Sequence, residues 1–177
     1  VAPLAMQGWA AGAGMGLGPA PGDVLPDMQL AVQAGDFEIL GMEQAETLML
    51  GEVEGDLLLV EYLSMYCTIC QEAAPKMNEL YGLVMAADGP EITMLGIGAG
   101  NSRFEVDYFR EEFSIPFAVI PDVDMAIYSC LGDPGTPFLV LLEKIENGLF
   151  VLYTHSGSVE DPALVAEEIL RAAREGR

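Results

Sequence analysis

The 177-residue sequence predicts an α/β fold, and three observations lead to that prediction. Strand-like apolar runs alternate with amphipathic helical patterns along most of the chain, which is typical of this class. A Cys-x-x-Cys pair, Cys67 and Cys70, stands where the first strong strand gives way to a helix. Although 51% of the residues are hydrophobic, no apolar stretch is long enough to span a bilayer, so we expect no direct membrane insertion.

The main elements are predicted in the order βαβαβαββα, with parallel crossovers first and an antiparallel hairpin last. The helix after the cysteines contains Pro75, which removes a backbone hydrogen bond within it. A short strand at 37–40 is expected ahead of this series. The predicted strands are 57–63, 92–97, 117–120, 138–142 and 150–154, and the predicted helices are 69–86, 103–113, 122–130 and a last one from 162.

Short local patterns mark where several of these elements begin. A capping box, single capping residues and a hairpin turn each satisfy or redirect the backbone at one end of an element. These patterns are the Ser102–Glu105 capping box, the Asp122 cap, the Asn147-Gly148 turn, and Asp161-Pro162 at the last helix.

Residues 1–26 are predicted to be a flexible N-terminal arm or linker, and residues 27–177 a single domain. The arm is rich in Gly, Ala, Pro and Met and shows no helical or strand period. The chain begins with Val1, so we expect that an export signal or anchor, absent from this chain, once preceded it. Trp9 and nearby apolar residues could instead contact a neighbouring subunit, which would make a homo-oligomer.

The net charge of -21 excludes one large class of partners. Nucleic acids and anionic membrane surfaces are bound by clustered Lys and Arg, and this chain has only seven basic residues. We interpret the acidity mainly as a solubilising surface. Attraction of a basic protein partner is the alternative interpretation.

The position of Cys67 points to redox chemistry. At a helix start its sulfur lies among free backbone N–H groups and the positive end of the helix dipole, which favours the reactive thiolate. Cys70 lies one turn further, within reach to resolve a mixed disulfide. A structural disulfide is the first alternative. A zinc site is the second, but only Cys130 and His155 remain as further ligands, so no metal or other cofactor is expected.

Three other features are interpreted as structural. Cys130 is expected to be a buried small apolar residue, with a regulatory or resolving thiol as the alternative. The glycines at 96–100 lack the third glycine of a dinucleotide fingerprint, because Asn101 stands at that position. His155 is the lone histidine and has no cysteine or serine neighbour that would mark it as catalytic.

The element order and several local residues resemble the thioredoxin fold, which implies a central mixed sheet flanked by helices. The segment inserted at 106–121 resembles the TlpA/ResA-like, AhpC/TSA-related thiol-disulfide oxidoreductases. The resemblance covers residues 27–175. The residues that carry it besides the cysteines are Glu61 before the pair, Tyr66 next to it, Pro75 in the helix, Thr136-Pro137 at the hairpin strand, and the segment 155–157.

The resemblance implies a role for each of these residues. Glu61 would be a buried acid–base group for Cys70, although strand alternation alone does not decide whether its side chain is buried. Thr136 and Pro137 would bind the substrate chain beside the cysteines, with a cis peptide bond between them, and Tyr66 would lie at the same surface. The Thr-Ile dipeptide between the cysteines leaves the reduction potential open.

The implied function is thiol-disulfide exchange with protein partners in a periplasmic or otherwise exported compartment. A peroxiredoxin-like thiol peroxidase shares the fold, and Ser64 stands where it would need a threonine. Such an enzyme would also need an arginine, for which Arg103 and Arg110 are candidates. A copper-handling thioredoxin relative is the third alternative, but the spacing of the two cysteines argues against it.

Overall fold

The strand that precedes the cysteines, β4 (Leu57–Leu63), lies in the middle of the molecule, and all seven of its residues are buried. The structure is a computed structural model that describes residues 18–176. In it, β4 pairs in parallel with β5 on one side and antiparallel with β7 on the other, so the sheet is mixed. A strand buried on both faces explains the nearly continuous apolar run in this part of the sequence.

Six strands form the main sheet in the order β1-β8-β7-β4-β5-β6, and β2 and β3 form a separate antiparallel pair. The remaining strands are β1 (Val24–Leu25), β2 (Gln29–Leu30), β3 (Leu48–Met49), β5 (Ile92–Ala99), β6 (Ala118–Asp122), β7 (Phe138–Ile145) and β8 (Gly148–Ser156).

Two hydrophobic layers enclose the sheet, one on each face. The first layer takes its helical residues from α2, α3 and α5, and the second takes them from α1 and α4. Alternate residues of β4 enter the two layers, as the period of a strand requires. The helices are α1 (Ala34–Leu40), α2 (Thr68–Met85), α3 (Arg103–Glu112), α4 (Ala126–Cys130) and α5 (Pro162–Glu175), and a 3-10 turn spans Leu50–Glu52.

The predicted order βαβαβαββα is confirmed from β4 to α5. The hairpin strands are longer than predicted, and β7 and β8 meet at a turn formed by Glu146 and Asn147. The strand predicted at 37–40 is wrong, because these residues belong to α1. Asp36 accepts a hydrogen bond from the Gln33 backbone at the start of α1, and Gly41 ends the helix in the left-handed conformation.

The sheet already includes Val24–Leu25, ahead of the residue at which we predicted the domain to begin. Residues 1–17, with Trp9, and residue 177 lie outside the described residues. The division into an arm over 1–26 and a domain over 27–177 therefore stays a prediction, as does an oligomer built through the arm. None of the described helices combines the length and the apolar character that crossing a bilayer requires.

Candidate active site

Cys67 is the N-cap residue of α2, immediately after the loop that leaves β4. Its backbone N–H donates to Ser64 O at 3.0 Å, which closes a tight turn before the helix. Its Sγ accepts a hydrogen bond from the Cys70 backbone N–H at 3.2 Å. The sulfur thus takes the place of a capping oxygen at a helix N-terminus, where negative charge is stabilised. The side chain is half-buried, so part of it remains open to solvent.

Cys70 lies one turn along α2 and is buried, with an exposed fraction of 1%. It packs in the hydrophobic layer that contains Leu63 and Met77. Burial raises the pKa of the Cys70 thiol, and its hydrogen bond with Cys67 raises that pKa further. Both cysteines are free thiols in this structure. The pair is therefore asymmetric, with one sulfur accessible to a partner and the other shielded.

The Thr136–Pro137 peptide bond is cis, as predicted from the resemblance. The Cys67 thiol donates a hydrogen bond to Thr136 O at 3.3 Å, so this segment lies directly against the first cysteine. Beside it is a surface groove of about 580 Å³, lined by Thr136, Pro137, Ile69 and Glu72 together with residues near the end of β8. The groove offers space for a substrate chain next to Cys67.

Glu61 is buried with an exposed fraction of 3%, which confirms the burial that strand alternation could not decide. It pairs with Gly96 of β5 and Leu139 of β7, and it faces the same layer as Leu63 and Cys70. Burial raises the pKa of Glu61 to about 8. Its Oε2 has no hydrogen-bond partner among the described residues. This carboxyl group can therefore change its protonation state near neutral pH.

Glu61 also acts electrostatically on the second cysteine. Burial is the largest cause of the raised pKa of Cys70, and the charge of Glu61 adds to it. The two groups thus favour a state in which at least one of them is protonated.

Tyr66 is the last residue of the loop before Cys67, and 69% of its side chain is exposed. Its hydroxyl donates a hydrogen bond to the Glu105 carboxylate at the start of α3. Ile69, between the two cysteines, is also exposed. Two apolar side chains therefore flank Cys67 at the surface.

Of the two arginines that a peroxidase could use, Arg103 is engaged in an ion pair. Both terminal nitrogens of Arg103 donate to the Asp36 carboxylate, at 2.9 and 2.8 Å, and one of them also donates to Ala31 O. Arg110 borders a separate surface depression with Asp107. Neither residue is among those that line the groove beside Cys67.

The remaining candidates from the sequence are His155, a metal site and Cys130. His155 contacts Ser158 O through Nε2 at 3.2 Å, which agrees with a structural role. Within residues 18–176, no group of three or more His, Cys, Asp or Glu side chains is arranged to hold a metal ion. The expectation that Cys130 is buried is wrong, because its side chain is exposed at the end of α4, where Ile127 is the buried residue.

Two residues that support the site were missed in the sequence. Asn101 is completely buried and holds the loop before Cys67 through its side-chain amide. Gln71 donates from Nε2 to Met65 O of the same loop at 2.6 Å. The sequence marks Asn101 only by its place after a glycine-rich segment, at the position where a nucleotide-binding fingerprint would have its third glycine.

Comparison with known proteins agrees with this geometry, although no protein-family model matches the chain. The thiol-disulfide oxidoreductase ResA of Geobacillus thermodenitrificans is 27% identical over 111 residues, covering 63% of this chain and 62% of that protein. The chain thus spans less than two thirds of the length of this curated relative.

Two solved structures have a similar fold. A protein of Chlorobium tepidum assigned as the thiol:disulfide interchange protein DsbE has a TM-score of 0.67 and 21% identity, covering 87% of this chain and 98% of that one. A secreted Mycobacterium tuberculosis disulfide oxidoreductase has a TM-score of 0.55 and 14% identity, covering 73% and 90%. The fold is therefore thioredoxin-like, and the resemblance to the TlpA/ResA-like proteins is confirmed.

Proposed function

We propose that this chain is a thiol-disulfide oxidoreductase that exchanges electrons with disulfides of partner proteins through Cys67 and Cys70. One observation carries the proposal. The accessible Cys67 sulfur caps α2, accepts the Cys70 N–H and faces Thr136 O at the edge of an open groove, while Cys70 is buried one turn behind it. This arrangement supplies an attacking sulfur, a resolving sulfur and a place for the substrate.

The exchange proceeds through a mixed disulfide. The Cys67 thiolate attacks one sulfur of the partner disulfide, so a Cys67–partner bond forms and the other partner sulfur leaves as a thiolate. Cys70 then attacks Cys67 Sγ, which forms the Cys67–Cys70 bond and releases the first partner sulfur. Two electrons pass from the dithiol to the partner, and the two protons of the dithiol end on the partner thiols. The reverse sequence oxidises a partner dithiol.

Glu61 is proposed as the group that takes the Cys70 proton during resolution. Burial raises the pKa of Glu61 to about 8, so the carboxyl is partly ionised near neutral pH and can accept a proton. Glu61→Gln should therefore slow release of the mixed disulfide at neutral pH and leave the initial attack by Cys67 nearly unchanged. Rapid-quench measurement of the two steps with a disulfide peptide tests this. Equal slowing of both steps would argue against a proton-transfer role.

Thr136, Pro137 and Tyr66 are proposed to bind the partner. An extended partner segment in the groove could hydrogen-bond the Thr136 backbone in the manner of an added strand. The exposed Tyr66 and Ile69 side chains would cover the apolar surroundings of the partner disulfide. We also propose that the chain works in an exported, periplasmic-type compartment, where partner disulfides persist. The secreted relative supports this.

The function can be tested with single-cysteine variants in a Cys130→Ser background, which removes the exposed third thiol. With a peptide containing one internal disulfide, the Cys130→Ser protein should exchange, and Cys67→Ser should not. Cys70→Ser should accumulate a mixed disulfide on Cys67, detected by mass spectrometry of its peptide. Unchanged exchange by Cys67→Ser, or an adduct on Cys70 in the Cys130→Ser protein, would overturn the assignment.

A further inference from the structure

Asn101 is a completely buried polar residue in the turn between β5 and α3. Its side chain contacts the loop before Cys67, more than thirty residues away in sequence. Oδ1 accepts a hydrogen bond from the Met65 backbone N–H at 2.8 Å, and Nδ2 donates to Ser64 Oγ at 3.4 Å. A buried amide is stable only when its donors and acceptors find such partners. The two hydrogen bonds of the Asn101 amide therefore fix where the loop lies relative to the turn.

The turn that carries Asn101 is itself held firmly. The Asn101 backbone N–H donates to Gly98 O at 3.1 Å. A side chain at position 98 would not fit, because its Cβ would lie 2.5 Å from Val106 Cγ1 and 3.2 Å from Asn101 Oδ1. The next residue, Ser102, starts α3 with a reciprocal capping box to Glu105. Asn101 thus projects from a rigid part of the sheet–helix framework.

The loop that Asn101 holds determines the surroundings of both sulfurs. Ser64 O receives the Cys67 backbone N–H at 3.0 Å, which sets how Cys67 enters α2. Burial raises the pKa of Cys70, and a hydrogen bond from the Ser64 backbone opposes that effect. Met65 is held at both of its backbone groups, since Asn101 receives its N–H and Gln71 donates to its carbonyl. A shift of residues 64–65 would change the hydrogen bonds at both cysteines.

We infer that Asn101 is a positioning residue for the redox pair: its amide holds residues 64–65 so that the Cys67 sulfur caps α2 and the reduced form is stabilised. This inference rests on the proposed function, for which the pair must cycle between dithiol and disulfide. The capping hydrogen bond stabilises a thiolate, which exists only in the reduced form. Without the Asn101 amide the reduced form loses stability relative to the disulfide, and the pair becomes a weaker oxidant.

The reduction potential of the pair tests the inference. In a Cys130→Ser background, the dithiol is equilibrated with glutathione: the dithiol and one oxidised glutathione give the protein disulfide and two reduced glutathiones. Asn101→Ala should change this equilibrium constant about tenfold toward the protein disulfide, which corresponds to a potential about 30 mV more negative. The populations are read after acid quenching and alkylation of the free thiols.

Asn78→Ala is the matched control. Asn78 lies on α2, the helix that carries Cys70, and its Nδ2 donates to Phe113 O at 3.0 Å and to Ser114 O at 3.3 Å, away from the loop before Cys67. Its removal also deletes an amide with two hydrogen bonds and should lower the stability of the fold, but it should leave the glutathione equilibrium unchanged. A merely structural role for Asn101 would make the two variants behave alike.

Two results would overturn the inference: a folded Asn101→Ala variant with the wild-type equilibrium constant, or the same shift in Asn78→Ala. If Asn101→Ala does not fold, Ser64→Ala removes only the Nδ2 partner and should shift the constant in the same direction by about threefold. A wild-type constant in Ser64→Ala would then contradict the inference. The equilibrium constant does not depend on any protein partner, so absence of exchange with peptides would count against the proposed function and leave this measurement valid.

Discussion

The two sulfurs differ in solvent exposure and in hydrogen bonding, and this difference predicts which of them reacts first. Cys67 is half-buried and its sulfur receives a backbone N–H, whereas Cys70 is enclosed by the hydrophobic layer. Burial raises the pKa of Cys70, so its thiolate is scarce at ordinary pH. Cys130 is exposed but has no comparable helix-start position.

Alkylation of the reduced protein at about pH 6 should therefore label Cys67 first, because its accessible sulfur lies at the start of α2 and receives a backbone N–H. Cys130 should follow, and Cys70 should be last because it is both protonated and shielded. Peptide mapping by mass spectrometry after short iodoacetamide pulses gives the order. Labelling of Cys70 ahead of Cys67 would reverse the assignment of the attacking sulfur.

The buried carboxyl of Glu61 makes stability depend on pH in a definite direction. Its pKa is about 8 in the folded protein and about 4.5 when exposed. Below about pH 4.5 the Glu61 carboxyl group is protonated in both the folded and the unfolded protein, so it does not make the free energy of unfolding depend on pH. As pH rises toward 8, only the unfolded chain releases its proton, so the folded protein loses stability. Relative to the reduced wild type, Glu61→Gln should gain about 3 kcal/mol between about pH 4 and pH 7.

Urea unfolding at both pH values measures that gain. Any constant cost of burying the new amide cancels, because only the change between the two pH values is compared. Glu79→Gln is the control, since Glu79 is an exposed residue of the same chain on α2. If the difference in unfolding free energy between Glu61→Gln and the wild type is the same at both pH values, the pKa of Glu61 is not raised by folding.

At the scale of single residues, the cysteine pair could be predicted from the sequence, whereas the buried residues around it could not be predicted from local patterns. The pair was recognisable because strand, cysteines and helix are consecutive in sequence. The burial of Glu61 was suggested only by the resemblance, because β4 is buried on both faces and alternation carries no information there. Asn101 could not be found, because its partners Ser64 and Met65 become neighbours only when β4 and β5 pair.

Among the elements, the last helix was predicted accurately from its cap. Asp161 accepts hydrogen bonds from the backbone N–H groups of Ala163 and Leu164, and α5 begins at Pro162 as its sequence indicated. The helix predicted over 122–130 begins only at Ala126: Asp122 is the last residue of β6 and is not the N-cap, although its carboxylate accepts hydrogen bonds from Ile127 and Tyr128 N–H. Such signals work because donor and acceptor are a few residues apart.

The error at α1 shows where local patterns stop being decisive. The segment 37–40 has three apolar residues, Phe37, Ile39 and Leu40, and fits a strand as well as one face of a helix. The flanking Asp36 and Gly41 favour the helix, but the Asp36 carboxylate also forms an ion pair with a residue distant in sequence. Arg103 of α3 reaches across to its carboxylate and connects α1 with α3.

Loss of the Arg103–Asp36 ion pair should lower the free energy of unfolding far more than loss of the exposed Lys76–Glu160 pair. The Arg103 and Asp36 side chains are 19% and 6% exposed and bond through two nitrogens to two oxygens. Arg103→Met leaves the Asp36 carboxylate buried without its countercharge and should cost about 3 kcal/mol of unfolding free energy. Urea denaturation measures the loss.

Lys76→Met provides the comparison. The Lys76–Glu160 bond has a similar length, 2.9 Å, but its side chains are 40% and 81% exposed. Water screens such a pair, so its removal should lower the free energy of unfolding much less than Arg103→Met does. Equal losses in the two variants would mean that the Arg103 pair contributes no more than a surface contact.

On the scale of the whole molecule, the charge of -21 is poorly compensated near the site. Three of the seven basic residues are already engaged: Lys76 with Glu160, Arg103 with Asp36, and Lys144 with the carbonyl oxygens of Val53 and Gly55. The groove beside Cys67 has Lys76 as its single basic side chain, together with Glu72 and Glu160. The field around the groove is therefore negative and should attract positively charged substrates.

Exchange with short disulfide peptides should reveal this field through its dependence on salt. A peptide with lysines beside its cysteines should react faster than one with glutamates, by about tenfold at low ionic strength. The advantage should vanish between about 0.01 M and about 1 M salt, because the screening length falls from about 30 Å to about 3 Å. An uncharged peptide should react at nearly the same rate throughout, which separates screening from a general effect of salt on the protein. Equal rates for lysine and glutamate peptides at low salt would mean that the acidity serves solubility alone, and that substrates are chosen by the shape of the groove and not by charge.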